Sequence, residues 1–302
     1  MKPIQHLEQL ETLVRDKPRK TLAVAMGQDP HTISAICKAL NNGFIDVIVT
    51  GFPDKIKSVA EEQGVDISLM QIVEVESEKD GIEKAIQLIH EGEADFLMKG
   101  LCSTANYMRV ILNKEKGLLP QGEILSHVTV VEIPRYHKLM ILSDVAVIPY
   151  PDLSQKIKMI QYCQKVANSL GIEIPKAAII APTEEVNPKM PCTIDAAILS
   201  KMQDRKQFKN ILIDGPLAMD LAVSKESVKV KNVKSEVAGD ADIFIFPSIE
   251  AANAIYKTLT YLAGGELAAM VSGASAPCVL TSRADSDKSK YYSILLGALN
   301  VI

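Results

Sequence analysis

The segment Pro277-Cys278-Val279-Leu280-Thr281-Ser282-Arg283-Ala284-Asp285-Ser286 ends a short apolar run on a hydroxyl beside a guanidinium. The run reads as a buried strand, and the polar residues after it can cap a following helix. In open α/β sheets ligands bind beyond the carboxyl ends of the strands. A helix N-terminus placed there offers unpaired N–H groups and a positive dipole end to an anion. Ser282 adds a hydrogen-bonding hydroxyl, and Arg283 adds a planar, permanently charged fork suited to phosphate. The residues fit a phosphate-handling corner, or a plain strand-to-helix turn carrying a surface arginine.

A second corner has the same build. Phe96-Leu97-Met98-Lys99 reads as a strand, Gly100 relieves the turn, and Ser103 or Thr104 can cap a helix carrying Arg109. The amides from Gly100 to Thr104 could cradle an anion, with Lys99 and Arg109 neutralising it; an ordinary β-α turn is the alternative. Ile211–Ile213 ends on Asp214 before Gly215-Pro216, which puts a carboxylate at an expected strand end. It could act as a base, hold a substrate group, or satisfy nearby backbone amides. Glu250 and Asn253, one helical turn apart, are expected at the exit end of a strand closing at Pro247. A first-turn Glu also complements a helix dipole without any ligand. Asp240 and Asp242 read as turn residues at the amino end of that strand, and His127 as a satisfied, partly buried residue. Asp285 and Asp287 could hold a divalent ion, but helix capping accounts for them without one.

These corners need a scaffold that lines up strand ends. Strand candidates fall at 22–26, 47–49, 72–75, 96–98, 128–133, 139–142, 178–181, 211–213, 243–246, 270–272 and 278–280, separated by segments of helical period. Ile82, Ala85, Ile86 and Ile89 mark one buried helix face, and Leu153 to Leu170 forms a longer stripe closed by Gly171. Another helix is expected from Ile249 to Leu262. Such alternation predicts an α/β fold with a mostly parallel sheet. The rhythm breaks at residues 128–142, where two strands flank Pro134 as a hairpin and mark a domain change. Gly117–Gly122 is a candidate hinge. There is no internal repeat.

Composition narrows the class. The 302 residues suffice for two domains, and 47% apolar with 23% charged is ordinary for a soluble globular chain. A net charge of −4 argues against nucleic acid as a partner, and no apolar run is long enough for a membrane span. The charged N-terminus has no signal core, so a cytoplasmic protein is expected. Five scattered cysteines with no C-x-x-C suggest neither a disulfide framework nor a zinc site, and the histidines show no metal spacing. Neither a P-loop nor a complete G-x-G-x-x-G is present, so a triphosphatase or a standard dinucleotide site is unsupported.

Several segments together resemble the phosphate acetyl/butyryltransferase family, especially its phosphate butyryltransferase branch. They are Leu97-Met98-Lys99-Gly100, Leu125-Ser126-His127-Val128, Val186-Asn187-Pro188-Lys189-Met190, Asp214-Gly215-Pro216-Leu217-Ala218, Ile249-Glu250-Ala251-Ala252-Asn253 and Leu280 to Ser286, in family order. The resemblance implies direct interconversion of acyl-CoA plus phosphate with acyl phosphate plus CoA, without an acyl-enzyme. CoA is then a substrate, and no redox cofactor or metal is required. It also implies an isocitrate/isopropylmalate dehydrogenase-like fold with two α/β domains facing an interdomain cleft. The domains expected are 1–124 with 274–302, and 125–273. A homodimer or larger homo-oligomer follows from the resemblance alone.

By the same resemblance, Ser282 matches a serine that interacts with the reacting groups and Arg283 a phosphate-binding arginine. Arg109 corresponds to another anion-binding arginine. Lys99, Gly100, Ser103, Thr104, Asp214, Glu250 and Asn253 are the supporting substrate-binding candidates. Acetyltransferase members place a proposed catalytic aspartate where this chain has Ser289, seven residues after Ser282. The base is therefore Asp287 shifted by a turn, Asp214, or simple ionisation of the CoA thiol. Leu221 also departs from an asparagine frequent in butyryltransferases. Two rivals belong to other classes: a metal-dependent hydroxyacid oxidative decarboxylase, which needs an aspartate triad and a nicotinamide site, and a non-catalytic CoA- or acyl-phosphate-binding homologue.

Overall fold

The computed structural model describes residues 2–282 and 285–301. Its strands are β1 (Lys20–Ala25), β2 (Ile45–Gly51), β3 (Gln71–Glu74), β4 (Phe96–Lys99), β5 (Ser126–Glu132), β6 (Met140–Ser143), β7 (Lys176–Ile180), β8 (Leu212–Leu217), β9 (Ile243–Ile245), β10 (Glu266–Ser272) and β11 (Cys278–Val279). The helices are α1 (Leu10–Arg15), α2 (Pro30–Asn41), α3 (Pro53–Gln63), α4 (Glu78–His90), α5 (Thr104–Ile111), α6 (Leu153–Ser169), α7 (Pro191–Asp204), α8 (Met219–Val223), α9 (Lys225–Lys231), α10 (Ile249–Tyr261) and α11 (Asp287–Leu299). Every strand candidate from the sequence overlaps one of these strands, because short β-branched runs bounded by Gly, Pro and Asp carry their own signal.

Two compact units emerge: Met1–Leu7 with Ser126–Glu266, and Glu8–Leu125 with Leu267–Ile302. They differ from the expected domains at two places. The first residues join the 126–266 unit, where Ile4 N–H donates to the Leu170 carbonyl at 3.1 Å and Leu7 N–H to Glu132 at 2.7 Å. Strand β10 stays with the other unit because it pairs antiparallel with β11, Val271 opposite Cys278.

In the 8–125/267–302 unit the strand order is β3-β2-β1-β4-β11-β10. Pairing is parallel from β3 through β11. The central strands are apolar on both faces, with Leu22 to Ala25 and Phe96 to Met98 fully buried, as helices on both sides of a parallel sheet require. Helix α11 packs on α2 and is buried from Ser289 to Ala298. Asp29 caps α2 by accepting from Thr32 N–H at 3.0 Å, with Pro30 opening the helix.

Strand β1 ends in a left-handed Met26, φ 61°, a conformation disfavoured for a side chain of this kind. Its carbonyl is pinned by Leu101 N–H at 2.6 Å, and Gly100 N–H donates to the Ala25 carbonyl at 2.9 Å. The β1 and β4 turns therefore meet backbone to backbone. A Cβ on Gly100 would lie 2.3 Å from the Met26 oxygen, so only glycine fits.

In the 1–7/126–266 unit the order is β5-β6-β9-β7-β8, and only the β5–β6 pair is antiparallel. That pair is the hairpin expected around Pro134. Helix α6 opens with a capping box, Asp152 and Gln155, and Gly171 follows its end at φ 88°. At the amino end of β9, Asp240 accepts from Lys176 at 2.7 Å and His137 at 2.8 Å, with Lys138 Nζ 3.1 Å away. Burial pushes the Asp240 carboxyl up, but the hydrogen bonds from Lys176, His137 and Lys138 outweigh it and hold it well below the usual range.

Two outcomes follow for stability. Asp240→Asn should cost about 1–2 kcal/mol at neutral pH by urea denaturation. A depressed folded pKa contributes fully above the unfolded value of about 3.9 and is lost as pH falls toward the folded one, so the two proteins should converge below about pH 4. A constant gap across that range would remove the ionised network as the cause. Gly100→Ala should cost about 1–3 kcal/mol, since backbone rather than a movable side chain meets the new methyl. A loss under about 0.5 kcal/mol would contradict the close approach.

Candidate active site

Strand β11 lies beside β4 in parallel register, Cys278 opposite Leu97 and Val279 opposite Met98. The turn that begins at Leu280 and the turn that begins at Gly100 therefore leave the same edge of one sheet from neighbouring strands. That edge is the carboxyl end, where α/β sheets bind ligands. The loop after β1 adds Asp29 to it. Ser282 is exposed, three residues beyond the end of β11. Arg283 lies outside the described residues.

The Ser282 turn is tied by its backbone. Ser282 N–H donates to Asp285 Oδ2 at 2.6 Å, and Asp285 N–H returns to the Ser282 carbonyl at 3.2 Å. Ser286 caps α11 by accepting from Ser289 N–H at 3.1 Å. Ser289, where the resemblance led to an expected aspartate, is buried, with its hydroxyl oxygen 3.1 Å from that of Ser286. Lys290 follows it, and its ammonium reaches the Thr281 hydroxyl at 3.4 Å, the Ser282 carbonyl at 3.3 Å and Asp29 Oδ2 at 3.9 Å. Sequence reasoning missed Lys290, because a lysine in a Ser-rich first turn looks solvated. Asp29 was missed too, although Asp-Pro after a strand is a cap signal.

The Gly100 turn departs from the expected anion cradle. The Gly100 and Leu101 amides are spent on β1, and Cys102 N–H donates to the Gly100 carbonyl at 3.0 Å. Ser103 N–H donates to Glu78 Oε1 at 3.1 Å, and Asn106 Nδ2 donates to the same oxygen at 2.8 Å. A carboxylate of the protein thus occupies the start of α5, which Ser103 caps through Asn106 N–H at 3.3 Å. Thr104 is the first residue of that helix. The Lys99 ammonium is buried beneath the turn and donates to the carbonyls of Gly100 at 3.1 Å and Cys102 at 3.0 Å. These two bonds brace the turn.

Arg109 donates to Asn106 Oδ1 at 2.9 Å and lines a cleft of about 720 Å³ between α4 and α5, with Lys84, His90 and Lys116. Asp287, in the first turn of α11, is exposed and pairs with His31 Nδ1. Asp214 corrects the sequence expectation. β8 does not stop there but runs on through a cis Gly215-Pro216 to Leu217, because Gly215 packs directly against Ile179. Asp214 therefore sits within a strand opposite Ala178, where its Oδ1 accepts from Gly215 N–H at 2.8 Å.

Glu250 is exposed and accepts from the Tyr150 hydroxyl, a hydrogen bond that holds its carboxyl below the usual range. Asn253 donates to the Val145 carbonyl at 3.0 Å and so braces the segment after β6. Cys278, just upstream of Ser282, is fully buried, and burial pushes its thiol up to about 12. It is a protonated, inert thiol at neutral pH. Among the described residues no group of three or more His, Cys, Asp or Glu could hold a metal ion, and no helix is long and apolar enough to cross a membrane.

Comparison with known proteins places these features in one family. Residues 76–298 match the family described as Phosphate acetyl/butaryl transferase. The chain is 46% identical to the phosphate butyryltransferase of Clostridium acetobutylicum, covering 98% of each protein. It is 43% identical to the phosphate acetyltransferase of Thermotoga maritima over 97% of this chain and 99% of that one. A branched-chain phosphotransacylase from Enterococcus faecalis V583, solved by crystallography, superposes with a TM-score of 0.81 at 31% identity, covering 93% of this chain and 99% of its own. With more than half its length matched and near-complete coverage of close relatives, the chain belongs to the phosphate acetyl/butyryl transferase family.

Proposed function

We propose that the protein interconverts short-chain acyl-CoA and phosphate with acyl phosphate and free CoA, with butyryl or a similar short or branched group as the acyl chain. The observation that carries this is the 46% identity to a phosphate butyryltransferase along essentially the whole chain. An acetyl preference is the second reading, favoured by the 43% identity to a phosphate acetyltransferase. A single methylene discriminates by only about 1–3 kcal/mol, so the acyl pocket is decided by assay. The two units correspond in this proposal to the domains of an isocitrate/isopropylmalate dehydrogenase-like fold. The protein works in the cytoplasm as a homodimer or larger homo-oligomer, with CoA as a substrate and no metal or redox cofactor.

In the direction of CoA acylation, the CoA sulfur attacks the carbonyl carbon of the acyl phosphate. A C–S bond forms, the C–O bond to phosphate breaks, and phosphate leaves with the electron pair. The thiol proton passes to a base or to solvent, since a free thiol has a pKa of about 8.5. Ser282 hydrogen-bonds the reacting phosphate or carbonyl oxygen, and Arg283 neutralises the leaving phosphate. In this proposal Asp287, exposed in the first turn of α11, takes the proton. Lys99, Gly100, Ser103 and Thr104 shape the neighbouring turn, and Arg109 binds a more distant anionic group of the substrate. The inert Cys278 thiol is consistent with transfer that avoids an acyl-enzyme.

Release of CoA from butyryl-CoA, followed as free thiol, should require added phosphate. Ser282→Ala and Arg283→Ala should each lower kcat/KM about tenfold to a thousandfold, or about 1.4–4 kcal/mol. Wild-type rates in both variants would remove the Ser282 corner from the mechanism. Tight CoA binding with no turnover for acetyl-, propionyl-, butyryl- or isobutyryl-CoA would instead identify a non-catalytic homologue.

A further inference from the structure

Lys290 is held in a way that three separate physical costs oppose. It is 3% exposed, so its charge has lost nearly all contact with water. It is the fourth residue of α11, at the positive end of the helix dipole, where a cation is disfavoured. Its contacts are also loose, at 3.3, 3.4 and 3.9 Å, against about 2.7–2.9 Å for well-formed charge-assisted bonds. The other buried lysines do better: Lys156 meets Asp195 at 2.6 Å, and Lys99 reaches two carbonyls at 3.0 and 3.1 Å. Asp29, whose carboxylate lies 3.9 Å from the Lys290 ammonium, also accepts from Thr32 N–H.

An anion held by the Ser282 turn would relieve all three costs at once. We propose that Lys290 is a positioning residue for phosphate: its ammonium, acting through the Thr281 hydroxyl and the Ser282 carbonyl, orients the turn and sets its affinity for the anion. This rests on the reaction proposed above and assigns the cation beside Ser289 a task there. Ser289 and Lys290 put a buried hydroxyl and a buried ammonium side by side at the start of α11. Asp29 is the opposing element. Its negative charge would compete with a phosphate for the same ammonium, and its contact of 3.9 Å is looser than the 2.6 Å of Lys156 with Asp195.

The sign of two substitutions tests this. Lys290→Met should raise the KM for phosphate about tenfold to a hundredfold, the worth of one hydrogen bond to a charged group, while leaving the KM for acyl-CoA near wild type. Asp29→Asn keeps the α2 cap, since Asn caps as well as Asp, but removes the competing charge. It should lower the phosphate KM about twofold to fivefold. Lys290→Arg should recover most of the loss. Calorimetric titration of the resting protein with inorganic phosphate should give the same order of affinities without turnover. A merely structural brace would make both substitutions lower the melting temperature and shift phosphate affinity the same way or not at all, and that result overturns the proposal. If Lys290→Met does not fold, Asp29→Asn decides alone, with an unchanged or weakened phosphate affinity counting against it. A wild type that binds phosphate in this order yet turns over no acyl-CoA would sink the reaction and leave the role of Lys290 intact.

Discussion

The parallel pairing of β11 with β4 is the contact on which the candidate site depends. Only two residues of β11 are in the strand, yet they set Val279 beside Met98 and so bring a C-terminal turn next to one that precedes it by some 180 residues. So short a strand needs support from elsewhere. β10 supplies it on one side, and α11 supplies it from behind, buried along most of its length against α2. The Tyr107 hydroxyl, deep in α5, reaches the Val279 carbonyl at 3.5 Å and ties the two corners together from below. Without this pairing Ser282 and the Gly100 turn would belong to unrelated parts of the surface.

On that frame, charge is distributed unevenly between the corners. The Gly100 turn is finished: its amides from Gly100 to Ser103 are paired with Ala25, Met26, Gly100 and Glu78, and Lys99 caps its carbonyls. A site already saturated by the protein's own groups gains little from an incoming anion, because each new bond would replace an existing one. At the Ser282 turn the described residues set a buried ammonium in loose contact below an exposed serine. In the proposed reaction, architecture falls to the first corner and recognition to the second.

Strand positions were legible from local composition, since β-branched runs between Gly, Pro and Asp need no tertiary information. The side-by-side placement of the two corners was legible only as an expectation from strand ends and family likeness. What composition could not reveal was where backbone amides would be spent. The Leu101 amide looks available in sequence because nothing local announces that Met26 will adopt φ 61° and turn its carbonyl toward it. Asp214 was misplaced for a related reason: Gly-Pro usually signals a turn, but close packing against Ile179 lets β8 carry both residues inside the strand. Lys290 was invisible because its burial comes from α11 packing on α2, a long-range consequence that no window of residues contains.

A crystal structure of the protein with inorganic phosphate and CoA tests the central claim most directly. The account expects phosphate within hydrogen-bonding distance of Ser282, at the carboxyl edge shared by β11 and β4, with the Lys290 ammonium drawn toward the turn. Phosphate bound instead in the α4–α5 cleft beside Arg109, with the Ser282 turn vacant, would contradict it.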